Sequence, residues 1–128
     1  MLICHFDLTS PAAAVAVLRL QRVVDAGGRV AFSGLDVLGL DIAVPPTLDL
    51  LEALPRHAPR AAELGLTLRR PSRRPPTLSA HLVGELAQAE DRGAAWRERA
   101  LRAYWEQDAD LSDTATLVEL AVDIGLDG

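Results

Sequence analysis

LICHFDLTSPAAAVAVLRLQRVV, residues 2–24, is the stretch whose reading decides the fold. Leu2 to Phe6 is a short, mostly apolar run suited to a buried strand, and Asp7-Leu8-Thr9 is its exit. Ser10 stands directly before Pro11, the arrangement expected of an N-cap residue followed by proline at the first helical position. Ala14, Val15, Val17, Leu18, Leu20 and Val24 then supply apolar positions over several helical turns, and Gly27-Gly28 ends them. The pattern predicts strand, tight turn and helix, with one hydroxyl at the helix's positive end. The free N–H groups and the macrodipole there favour a thiolate, carboxylate or phosphate. By spacing alone, Ser10 is equally an ordinary cap.

Downstream, Arg29 to Ser33 reads as a second strand, which with the first strand and helix makes a right-handed βαβ unit and two parallel strands. Gly34 to Ala43 is apolar and glycine-interrupted, either strand extension or loop. Val44-Pro45-Pro46 marks the clearest boundary. Thr47 is the expected cap of a short helix over Leu48, Leu50, Leu51 and Leu54, halted by Pro55; a second helix is expected from Pro59 to Leu64, closed by Gly65. Arg69 to Pro76 is a stiff basic loop, read as a solvated connector or as an arginine fork for an acidic group.

Three helices follow. In the first, Leu78, Leu82, Leu86 and Ala89 share one face while Glu85, Glu90 and Asp91 keep the other wet. The second, from Ala94 to about Gln107, carries Trp96, Ala100, Leu101, Tyr104 and Trp105 as a stripe expected in the core. The third begins at Ser112 or Asp113, turns Leu117, Leu120, Ala121 and Ile124 inward and stops at Gly125. Asp108, Asp110 and Asp113 lack the glycine and terminal glutamate of a calcium loop and are read as turn and cap residues; no metal is expected.

Two segments carry a family resemblance. FDLTSPAAAVAVLRL, residues 6–20, resembles the opening of DsbA-like thioredoxin-fold proteins, in which an aromatic-Asp strand end runs into Cys-Pro-x-Cys and a long helix. It is equally similar to the branch, which also holds FrnE-like proteins, of 2-hydroxychromene-2-carboxylate isomerase and kappa-class glutathione transferases, and in these last two Ser-Pro stands in place of the first Cys-Pro. Ser10 and Pro11 match that form, and Ala12 and Ala13 fill the other two places. ALRAYWEQDADLSDTATLVELAVDIGLD, residues 100–127, is similar to the family's helical region, which reads approximately as an aromatic helix, an Asp-Ile-Ser-Asp turn and a helix closing on Gly-Leu-Asp.

The resemblance implies an α/β, helix-dominated chain. Residues 1–43 form a thioredoxin-like βαβ portion and 44–128 a helical insertion of the same domain. The family's cis-proline loop, later strands and last helix are expected to be lacking. It implies an oxidoreductase or a glutathione-dependent isomerase or transferase, with Ser10 as catalytic residue and Ser10 and Pro11 as the glutathione-binding pair. Dithiol chemistry is excluded, because Ser10 and Ala13 fall where the cysteines would be. The preferred reading is a degenerate or partner-dependent member whose open sheet edge pairs with a second copy or another chain, and the Ser10 glutathione-dependent isomerase or transferase is the alternative.

Composition bounds these readings. The 128 residues suit one domain, and 13 basic against 18 acidic side chains leave a net charge of −5, which disfavours nucleic acid. Every basic residue is arginine. No run is long enough to cross a bilayer and Met1 leads straight into the first strand, so a cytoplasmic location is expected. The lone Cys4 is expected as a small buried hydrophobe on the same strand face as Leu2 and Phe6, with His5 opposite.

Overall fold

The computed structural model describes residues 2–126; Met1, Asp127 and Gly128, and with them the ends of the two expected segments, lie outside the described residues. Strand β1 (Leu2–Phe6), helix α1 (Pro11–Asp25) and strand β2 (Val30–Gly34) open the chain. Helices α2 (Leu48–Glu63), α3 (Leu78–Ala89), α4 (Gly93–Gln107) and α5 (Thr114–Asp123) follow. The α/β, helix-dominated architecture is the one expected.

β1 and β2 pair in parallel, with Leu2 opposite Val30, Cys4 opposite Phe32 and Phe6 opposite Gly34. The second strand thus starts one residue later than the sequence suggests, because Gly27, at φ 99°, and Gly28 turn the chain and Arg29 contributes only its carbonyl, to Leu2 N–H. Alternation turns Cys4 and Phe6 toward the helices and leaves Ile3 and His5 on the opposite, uncovered face. Leu2 shares the face of Cys4 and Phe6 but lies at the rim, 53% exposed.

α1 packs on α2, α3 on α4, and α5 closes against both α3 and α4. The core joins Cys4, Phe6 and Leu8 to the aromatic stripe of α4, where Trp96, Leu101, Tyr104 and Trp105 are buried as expected. Tyr104 and Trp105 meet edge to face at 4.8 Å, and Trp96 Nε1–H donates to Ala80 O at 3.1 Å, so each buried ring keeps its polar atom satisfied or its quadrupole matched.

Three expectations are corrected. Pro55 and Pro59 do not separate two helices; α2 runs through both as one. They stand four residues apart on the exposed side, where carbonyls that lose a helical N–H can take water instead. In α3 the leucine stripe faces outward: Leu78, Leu82 and Leu86 are 57–65% exposed. Its inner face is Ala80, His81 and Ala87, with Gly84 against Trp96, and the two alanines and the glycine are small enough to let α3 approach α4 closely. Finally, the Arg69–Pro76 loop is not wholly solvated, since Pro71, Arg74 and Pro75 are buried and Arg74 forms a two-way backbone bridge with Val44.

Candidate functional site

The turn between β1 and α1 concentrates the polar chemistry of the molecule. Pro11 occupies the first helical position and is buried; Ser10 is extended, at φ −97° and ψ 124°, and half-buried. Its Oγ accepts the Ala13 N–H at 3.2 Å and its carbonyl accepts that of Ala14 at 3.0 Å. Pro11 has no N–H, so of the first-turn amides only that of Ala12, an exposed residue, is left for an external group. The Ser10 hydroxyl retains its own proton to donate. What Ser10 and this helix end can offer an anion is one hydroxyl and one amide.

The rest of the turn is clamped from below. Asp7, 2% exposed, accepts the Thr77 hydroxyl at 2.8 Å on Oδ1 and the Val37 N–H at 2.9 Å on Oδ2. His81 Nε2 lies 3.5 Å from the same Oδ1 and 3.1 Å from Leu35 O; with two acceptors facing it, that nitrogen carries the hydrogen. Burial pushes the Asp7 carboxyl up, but the hydrogen bonds from His81, Val37 and Thr77 outweigh it and hold the carboxyl below its ordinary value. Leu8 O accepts the indole N–H of Trp105 at 3.0 Å. Thr9 Oγ1 accepts Arg74 Nε–H at 3.0 Å, and the same guanidinium reaches Thr47 Oγ1 at 2.7 Å and Asp49 Oδ2 at 3.5 Å. The Thr47 hydroxyl therefore serves Arg74 and does not cap α2.

The remaining residues singled out in the sequence fall elsewhere. Cys4 is buried in β1, and burial raises its thiol above the ordinary value against the pull of Arg97, so it is a packing residue and not a nucleophile. Asp113 caps α5 by accepting Thr116 N–H, Asp110 accepts Ser112 N–H, and Asp108 ends α4 in the left-handed region while accepting Ser72 N–H. Among the described residues no three His, Cys, Asp or Glu side chains converge as a metal-holding group.

Asp7, Thr9, Arg74, Thr77 and His81 were not legible as one cluster, for they lie 65 or more positions apart across the β1–α1 turn and the α3 entry. The one signal was a carboxylate closing an apolar strand immediately ahead of a helix cap, where burial demands donors.

No protein-family model matches the chain, and no curated protein matches its sequence. Among solved structures it superposes on a probable DsbA oxidoreductase from Streptomyces coelicolor with a TM-score of 0.80 and 23% identity, over 98% of this chain and 62% of that one. It superposes on a 2-hydroxychromene-2-carboxylate isomerase with a TM-score of 0.74 and 19% identity, over 98% of this chain and 66% of that one. The fold is thus the DsbA-like thioredoxin fold, and the chain spans less than two thirds of the length of the first of these proteins.

Proposed function

We propose that the chain is a DsbA-like thioredoxin-fold module without dithiol chemistry that works with a partner, a second copy of itself or another chain, completing its sheet. The carrying observation is the state of the β1–α1 junction: neither Ser10 at the cap nor Ala13 in the first turn of α1 carries a thiol, Cys4 is sealed in the strand, and the turn is tied to the helices through Asp7, Leu8 and Thr9. A turn held by buried bonds on three successive residues is built for rigidity. The uncovered face, with Ile3 56% exposed, and the two-stranded sheet supply the partner surface. The net charge of −5 argues against nucleic acid as that partner, and the reading carries the cytoplasmic location expected from the sequence. Light scattering over a wide concentration range tests self-pairing: a mass that rises with concentration supports it, and a fixed monomer with exchange-protected β1 amides ends it.

A second reading is favoured by one observation, the half-buried Ser10 hydroxyl at an α1 terminus with no acidic residue in its first turn. There Ser10, with Pro11 shaping the turn, would hold a glutathione thiolate for an isomerase or transferase. A one-unit fall in thiol pKa requires about 1.4 kcal/mol, within what a hydroxyl and a helix end supply together. Calorimetric titration with glutathione, with Ser10→Ala as control, decides it: absence of heat at millimolar glutathione removes this reading.

A further inference from the structure

A cavity of about 410 Å³ lies at the other end of α1 from Ser10, between Gln21 and Val24 of that helix, strand β2, and the start of α4. Of the residues lining it, Arg97 is the one cation and Asp91 the one anion. Arg97 is only 9% exposed, yet the ion pairs among the described residues engage Arg73, Arg74, Arg99 and Arg102 and leave it without a carboxylate. Its Nη2 donates to Gln21 Oε1 at 3.1 Å and its guanidinium carbon stacks 3.8 Å from the centre of the Phe32 ring. Among the described residues its Nε–H has no acceptor. Burial without an anion holds the Arg97 pKa down to about 10, with the nearby Cys4 acting in the opposite direction.

α4 begins beside this guanidinium with no side-chain cap, so its first amides are also unclaimed by any side chain among the described residues. Gly93, its first residue, keeps that wall open: a Cβ there would collide with Gln88 Oε1 and stand 3.1 Å from Arg97 Nη1. We propose that this cavity binds a small organic carboxylate, its oxygens facing Arg97 and the first amides of α4 and its apolar body lying on Phe32, Val30 and Val24. The planar guanidinium fork suits a carboxylate. The apolar wall formed by β2 suits a hydrocarbon body, and Asp91 at the edge disfavours a doubly charged phosphate over a monoanion. A volume of about 410 Å³ is at the small end for ligand sites.

Hexanoate and its uncharged counterpart hexanamide are the probes, titrated into the full chain by calorimetry at neutral pH and low salt. Hexanoate is expected to bind about tenfold or more tightly than hexanamide, the margin of a charged hydrogen bond. Arg97→Met should remove that margin. Asp91→Asn, tolerated at its φ of 59°, should tighten hexanoate binding. Equal affinity for the two probes, no heat from either, unchanged hexanoate binding in Arg97→Met, or weaker binding in Asp91→Asn each overturns the proposal. Should Arg97→Met not fold, the probe pair on the wild-type chain and the Asp91→Asn variant decide it.

Discussion

Asp7 couples stability to pH through a single carboxylate. Its folded pKa lies below the unfolded one, so the stabilisation is fully present above the ordinary carboxylate value of about 4 and is lost as pH falls through the folded value. Asp7→Asn replaces an acceptor of the Val37 N–H or the Thr77 hydroxyl by a donor. Urea melts should show the variant less stable by about 1–3 kcal/mol at neutral pH, and its stability should no longer fall with the wild type's steepness below about pH 4. Gly34 tests the other side of the cluster. A Cβ at this position would run into His81 Nδ1, so Gly34→Ala must push the imidazole from Leu35 O and Asp7. The expected cost in the same melts is about 1–3 kcal/mol, that of overfilling a packed site.

At the scale of elements, α3 is the place where periodicity and structure part company. Leucines at intervals of four mark a helix face, but they do not say which way it points. Ala80 and Gly84 lie on the inner face, with the buried Ala87, because the bulk of Trp96 already stands against them, its ring 3.1 Å from where a Cβ at Gly84 would be and its indole N–H donating to Ala80 O. Leu82→Lys is accordingly expected to change stability by no more than about 0.5 kcal/mol, whereas Ala80→Leu should cost about 1–3 kcal/mol by overpacking against α4; chemical denaturation of both variants checks the orientation. Proline misleads in a related way. Pro55 and Pro59 signal an interruption only where a freed carbonyl is buried, and on α2 the prolines face solvent. Replacing both with alanine should raise the melting temperature, each removing part of a penalty of up to about 3 kcal/mol. By contrast β1, α1 and β2 were legible because Ser10-Pro11 and Gly27 mark their junctions by local backbone chemistry. The clamp beneath Ser10 was not, because it is made by partners brought together only by the complete fold.

Those partners define how the whole molecule holds together. Arg74 reaches back 65 positions to Thr9, Thr77 reaches 70 to Asp7, and Trp105 reaches 97 to Leu8. A fragment ending at residue 76 would retain β1, α1, β2 and α2 but lose Thr77, His81 and the aromatic stripe that cover Asp7 and Leu8. It is expected to show no cooperative melt by circular dichroism, while the full chain melts as one unit. The reach of the Trp105 bond also has a meaning during synthesis. At about 5–20 residues per second, roughly 5–20 s pass between the emergence of Leu8 from the ribosome and that of the indole that caps it. During that interval β1 can meet α1 and β2, which are made earlier, but the Leu8 carbonyl still lacks the donor that covers it, so the turn is locked only after α4 has been made.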